Sequence, residues 1–325
     1  MINMSSYADS WLKFEVGIGG VRPVLRGTAE EMRTQYNGLG SALASLSSPV
    51  SDTQVKVTEG DVSGIKYRIY KPQGETKNFP IGVFYHSGGF VVGNLDAEDS
   101  FCRTVALRAG ITIVNVDYRL SPEHKAPAHV EDAVALYEWA YHNAESIAGD
   151  PSKMFTIGTS AGGGLALSTA RKIVLGQTTL PMDAIKGVVA LCPLTLHYEN
   201  IPAEHQPQHL SYQEHGENIP IVDKLSLSQM LANTGIRPDD KDYFPILDHS
   251  CLKLFPPTYV VTCGQDALRD DGNILSNALS SVGVPTKTNH YERMPHCFWI
   301  VPTLPETKEF LDALTGGIQW IKSRF

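Results

Sequence analysis

A serine held between glycines, Gly158-Thr159-Ser160-Ala161-Gly162, is the part of this chain best suited to covalent chemistry. It follows an apolar run, Met154-Phe155-Thr156-Ile157, and leads into a helix-prone run, Leu165-Ala166-Leu167. Strand, tight turn and helix around G-x-S-x-G is the context of a nucleophile elbow. Glycines suit a turn in which the serine occupies a strained backbone position with neighbours close on both sides. The hydroxyl then points out of the turn. The unpaired N–H groups that open the helix lie beneath any charge developing on a bound carbonyl oxygen. The plainer reading is an ordinary glycine turn.

A serine hydroxyl attacks well only when a base takes its proton and an acid holds that base. On a strand–helix scaffold the partners follow in the order serine, acid, histidine, in loops after later strands. Asp266 follows the apolar run 258–262 by the turn Cys263-Gly264-Gln265. Asp270 and Asp271 are its rivals; they fall about a turn later, at the start of a helix, where N-capping is the ordinary work of Asp. His296 lies in Met294-Pro295-His296-Cys297-Phe298, just past the last strand-like run. His290 falls inside that run, and His197, His205, His209 and His215 lie in a middle segment. A third feature is His86-Ser87-Gly88-Gly89-Phe90, directly after the run 81–85. Consecutive glycines let the backbone approach a ligand and turn N–H groups toward it. Gly88 and Gly89, with the N–H of Ala161, would supply three donors to a tetrahedral oxyanion.

These groups need a scaffold to bring them together. From about Val55 onward, strand-length apolar runs alternate with helical patterns. Runs 55–57 and 65–70 alternate with period two and read as half-exposed antiparallel edge strands. Runs 81–85 and 111–116 are more continuously apolar, as buried parallel strands are, and 154–157, 185–191, 257–262 and 287–291 extend the series. Helical stretches fall at 100–109, 128–141, 161–174, 273–282 and 306–325, the last with Phe310, Leu314, Ile318 and Ile321 on one stripe. This alternation predicts a mostly parallel sheet covered on both faces. Residues 1–50 are helix-prone, and 197–245 break the rhythm. A structureless loop that long is out of place in a compact domain. Both therefore read as helical pieces of a cap over the carboxyl ends of the strands, where such sheets bind ligands; surface decoration is the alternative. The division is a cap segment at 1–50, core at 51–196, a cap insertion at 197–245 and core again at 246–325.

Of 325 residues, 42% are hydrophobic and 19% charged, enough apolar material for a large core. The formal charge of −8 comes without a basic cluster, which argues against nucleic acid and anionic membrane surfaces as partners. No apolar run reaches the length of a membrane span, and the start shows no charged and apolar leader; a cytoplasmic location is expected. Asn3-Met4-Ser5 matches a glycosylation sequon and reads as chance without a leader. Cys102, Cys192, Cys251, Cys263 and Cys297 are odd in number, suit no metal site by spacing, and read as buried free thiols, mostly in apolar strands.

Taken together, these motifs resemble those of the hormone-sensitive-lipase-like branch of the α/β-hydrolases. The most specific match is Val116-Asp117-Tyr118-Arg119-Leu120-Ser121-Pro122-Glu123-His124, continued by Pro127-Ala128 and Glu131-Asp132-Ala133. It is close to that family's Asp-Tyr-Arg-Leu-Ala-Pro-Glu-His run. Gly149-Asp150-Pro151-Ser152-Lys153 and Asp266-Ala267-Leu268-Arg269-Asp270 match as well. The resemblance spans about Val55 to the C-terminus. It implies an α/β-hydrolase fold: a mostly parallel eight-stranded sheet, helices on both faces and a helical cap. It also implies a serine carboxylesterase with Ser160, Asp266 and His296 catalytic and no metal or other cofactor. The expected partner is a small or medium ester with a short acyl chain, such as an acetylated natural product, and a homodimer is an assembly that relatives often form. An acyltransferase or lyase on the same fold, and a non-catalytic receptor, are the rival functions. This chain departs from the family pattern at Ser87 (normally Gly), Thr159 (Asp), Gly164 (Asn), Ala267 (Pro) and Cys297 (Gly).

Overall fold

The computed structural model describes residues 6–46, 50–74 and 78–325. The tripeptide Asn3-Met4-Ser5 lies outside them. Two helices come first, α1 (Asp9–Gly17) and α2 (Ala29–Ala44). Then follow β1 (Val55–Val62), β2 (Ile65–Pro72), β3 (Phe79–Tyr85), α3 (Asp99–Ala109), β4 (Thr112–Asp117), α4 (Ala128–His142), β5 (Gly149–Thr159), α5 (Ala161–Val174) and β6 (Val188–Leu191). After α6 (Ser211–Glu214), α7 (Lys224–Ala232) and α8 (His249–Leu252), the chain closes with β7 (Thr258–Gln265), α9 (Arg269–Ser281), β8 (Thr286–Pro295) and α10 (Pro305–Lys322).

The strands form one eight-stranded sheet in the order β1-β2-β4-β3-β5-β6-β7-β8. β2 is antiparallel to both β1 and β4, and the remaining neighbours are parallel. The period-two pattern of 65–70 predicts an edge strand, yet β2 lies between β1 and β4. Alternation reports one open face of a strand, not a free hydrogen-bonding edge. β3 shows how the sheet is covered. Phe84 packs on Phe101 of α3, with ring centroids 5.7 Å apart. Tyr85, pointing the other way, donates its hydroxyl to Ala133 O of α4 at 3.0 Å. On the first face α10 packs against α3: Phe310 stacks near Phe101, and Lys322 Nζ donates to Ala109 O at 2.8 Å. The stripe Phe310, Leu314, Ile318 and Ile321 is fully buried there.

The first helices and the middle segment meet on one side of the sheet. Val24 pairs with Ile221, Arg26 forms an ion pair with Asp223, and Gly27 N–H donates to Gln229 Oε1 at 3.2 Å. Each partner's main helix opens on a capping box. Thr28 and Glu31 exchange hydrogen bonds at α2, as do Asp223 and Ser226 at α7, an arrangement typically worth about 1 kcal/mol. Leu25, Ala29, Met32 and Met230 then bury a small cluster with Val91 and Val92 of the glycine loop. All five cysteines are free and buried; only Cys263 lies within a strand, while Cys102 and Cys251 sit on the buried faces of α3 and α8, and Cys192 and Cys297 follow β6 and β8. Among the described residues, no helix is long and apolar enough to cross a membrane.

Candidate active site

β5 runs in the middle of the sheet and ends at Thr159, and α5 begins at Ala161. Ser160 between them has φ 59° and ψ −119°, a conformation costly for a residue with a Cβ. The surroundings enforce it. Ser160 N–H donates to Leu191 O at 2.8 Å, and Ser160 O accepts from Gly164 N–H and Leu194 N–H, each at 3.1 Å. The flanking glycines leave no room for alternatives. A Cβ on Gly158 would lie well inside 3.0 Å of Gly162 O, and one on Gly162 equally close to Tyr85 O.

Sheet register brings together the residues expected as acid and base. Gln265, the last residue of β7, pairs with Pro295, the last residue of β8. The next residue of each chain, Asp266 and His296, therefore emerges beside the other. His296 Nδ1 donates to Asp266 Oδ2 at 2.8 Å, and Asp266 Oδ1 accepts from Leu268 N–H at 2.8 Å. Asp266 is 0% exposed and His296 1%. Burial disfavours a charged imidazole, but the charge and hydrogen bond of Asp266 outweigh it, so His296 titrates above the ordinary histidine value. Its Nε2 is buried without a hydrogen-bond partner. Ser160 and His296 line one cavity of about 830 Å³.

The pairing of Tyr85 with Gly158 sets the glycine loop beside the elbow. Gly88 and Gly89 have φ of 123° and 59° and line the same cavity. Among the described residues, the N–H groups of Gly88, Gly89 and Ala161 donate to no other protein group. The long motif after β4 braces this loop. Tyr118 donates its hydroxyl to His86 O at 2.9 Å and stacks on the His86 ring at 4.1 Å. Burial pushes His86 down to about 4, so it packs as a neutral ring. Arg33 of α2 donates to Val91 O and Ser121 O and pairs with Glu123.

The rival acids do something else. The residue capping α9 is Leu268, without a side-chain cap bond, so Asp270 and Asp271 are not N-caps. They lie inside the first turn because α9 starts at Arg269, four residues before the expected 273. Asp270 Oδ2 accepts from Leu210 N–H and Ser211 N–H, each at 2.8 Å. Asp271 Oδ1 accepts from Thr195 N–H and Leu196 N–H, and its Oδ2 takes His209 Nε2 at 2.9 Å. Both carboxyls thus tie the middle segment to the core. His209–Asp271 is a second buried His–Asp pair, but neither residue lines the cavity.

Two features escape a sequence reading. Cys192, Cys263 and Asp266 bring candidate ligand atoms within 4.8 Å of one another. Both Asp266 oxygens are already engaged, and burial pushes both thiols upward, so a metal here would have to displace these hydrogen bonds and two thiol protons. Glu98 sits in the acidic run Asp96-Ala97-Glu98-Asp99, just before the helix expected at 100–109, yet it is 6% exposed and lines the cavity. No local signal reveals that burial.

A family model described as the α/β-hydrolase fold matches residues 82–300. The versiconal hemiacetal acetate esterase of Dothistroma septosporum is 45% identical over 318 residues, covering 98% of this chain and 96% of that protein. A hyperthermophilic esterase from the archaeon Pyrobaculum calidifontis superposes with a TM-score of 0.85 at 26% identity, over 97% of this chain and 99% of its own. Vibralactone cyclase superposes with a TM-score of 0.85 at 26% identity, over 98% and 95%.

Proposed function

Because the chain belongs to the α/β-hydrolase fold family, where it is a carboxylic ester hydrolase, we propose that it works as a serine carboxylesterase through an acyl-enzyme on Ser160. His296 Nε2 takes the Ser160 proton as Oγ attacks the ester carbonyl. The N–H groups of Gly88, Gly89 and Ala161 receive the oxyanion. Asp266 orients His296 and stabilises its charged form. His296 then protonates the departing alkoxide, and water releases the acyl group by the reverse sequence. The observation that carries this reading is the buried 2.8 Å His296–Asp266 bond, with Nε2 unengaged, in the cavity that Ser160 lines.

The substrate class we infer is a short-chain ester, an acetate above all, of a bulky alcohol. The Dothistroma relative is called an acetate esterase. A cavity of about 830 Å³ falls within the range that encloses a drug-sized molecule. We read the lining residues within 21–43 and 221–230 as its cover. The five buried free thiols suit a reducing compartment such as the cytoplasm.

Fluorophosphonate labelling tests the reading. One adduct is expected on Ser160, absent in Ser160→Ala and much reduced in His296→Ala; folded protein without an adduct refutes the enzyme reading in favour of a receptor. Nitrophenyl esters from acetate to palmitate test chain length, and fastest turnover of palmitate refutes the short-acyl assignment. The likeness to vibralactone cyclase favours a second reading, acyl transfer to an internal hydroxyl. A hydroxy-ester substrate separates the two: free acid marks hydrolysis, and lactone marks cyclisation.

A further inference from the structure

Glu98 is the buried carboxyl that these steps leave unused. It immediately precedes α3 and lines the cavity together with Ser160, Gly88, Gly89 and His296. Ser87 N–H donates to its Oε1 at 2.8 Å. Its Oε2 is buried with no hydrogen-bond partner. Arg68, which reaches this turn, is engaged by Glu59, Asp96 and Asp99 instead. A carboxyl kept buried and half satisfied is costly, and such groups gather where function requires them.

Two departures noted in the sequence, Ser87 and Thr159, meet at this carboxyl. Burial favours its protonated form; the Ser87 and Thr159 side chains nearby, though neither hydroxyl closes a bond on Oε2, the Ser87 N–H and the charge of His296 favour ionisation. The other titratable groups facing Glu98 are Tyr36 of α2, Cys102 of α3, Tyr118 and Cys297. Burial pushes all four upward, so they stay neutral. His296 is therefore the group among them able to carry positive charge, and it in turn faces Asp266, Cys192 and Glu98.

We propose that Glu98 is a positioning residue of the active site: it clamps the oxyanion loop through Ser87 N–H and supplies, after Asp266, a second negative charge to the His296 imidazolium. The clamp holds the segment that carries Gly88 and Gly89. The charge acts when His296 becomes positive, which is also when Glu98 ionises most readily. This rests on the serine-esterase reading.

Glu98→Gln keeps an oxygen for Ser87 N–H and removes the charge. The experiment measures kcat/KM against pH for wild type and E98Q on nitrophenyl acetate, with fluorophosphonate labelling and a thermal melt of each. In E98Q the acid limb is expected to move to lower pH by about half a unit or more, because the imidazolium loses support. kcat is expected to fall roughly fivefold or more, with KM nearly unchanged. Glu98→Asp, which retains the charge, is expected to keep the wild-type limb. Thr159→Val, which removes a hydroxyl favouring ionised Glu98, is expected to shift the limb in the same direction as E98Q and decides the matter if E98Q does not fold. Superposable limbs overturn the proposal. Wild-type protein that fails to label overturns the esterase reading itself; labelled protein with superposable limbs overturns only the role of Glu98.

Discussion

Replacing Gly88 by Ala is the sharpest test of the oxyanion assignment, with Gly89→Ala as its internal control. Gly88 has φ 123°, a conformation for which an L side chain is strained. A Cβ there would lie well inside 3.0 Å of the backbone oxygen of Val92. That backbone cannot swing away, because Val91 N–H and Val92 N–H both donate to Gly88 O at 3.0 Å. The turn must open, and its N–H groups leave the oxyanion position. Loss of one such donor costs about 3 kcal/mol of barrier, roughly a hundredfold in kcat; the backbone strain, about 1–3 kcal/mol, appears separately as a lower Tm. Gly89 has φ 59°, which Ala adopts at a cost of about 1–2 kcal/mol. Its Cβ would meet Met230 Sδ, the far end of a flexible side chain. Gly89→Ala should therefore lose about tenfold or less in kcat, and Met230→Ala in that background should recover part of it. The assay is kcat and KM on a short nitrophenyl ester, with a thermal melt of each variant. Folded Gly88→Ala retaining kcat within about twofold, or losing less than Gly89→Ala, refutes the assignment.

Three further outcomes follow from the same geometry. Asp266→Asn preserves the Leu268 contact but removes the charge behind His296; kcat should fall by about 10⁴-fold, and a loss under about tenfold would show that another group holds the imidazole. His296 must be neutral to accept the Ser160 proton, and Asp266 raises its pKa. The kcat/KM of wild type should therefore climb with pH through an inflection above the ordinary histidine value of about 6.5; an inflection at or below that value contradicts the electrostatics. Burial acts against ionised Asp270, but Arg269 and the N–H groups of Leu210 and Ser211 hold its carboxyl down to about 2. A depressed folded pKa stabilises above the unfolded value of about 3.9 and is lost as pH falls toward 2, a contribution of at most about 2.6 kcal/mol. Melts between neutral pH and pH 2.5 should show this decline in wild type and a flatter one in Asp270→Asn; parallel curves would refute it.

The strand–helix alternation, the elbow and the glycine loop are legible in the sequence because each is written in neighbouring residues. Period two marks an open strand face, Phe310, Leu314, Ile318 and Ile321 mark a helix stripe, and glycines around Ser160 and at positions 88 and 89 mark positive φ or close backbone approach. What the sequence left ambiguous required partners distant in the chain. Local position favours Asp266 over Asp270 and Asp271 but does not show what each carboxyl meets. The register of Gln265 with Pro295 sets the first against His296, while contacts with 195–211 engage the other two. Likewise β2 resembles an edge until β4 is known to pair with it.

By itself the sequence determined the order of the core strands and helices from about Val55 onward, though not every boundary, and which residue types stand near their ends. Only the tertiary structure decided which ends meet. It brought Glu98 out of a polar run into the cavity, joined α2 to α7 across nearly two hundred residues, and closed a hydrogen bond between Asp266 and His296. The physical reason is that backbone strain and amphipathic period are local properties of the chain. Burial, register and the electrostatic surroundings of a carboxyl are created by contacts that no short stretch of chain contains.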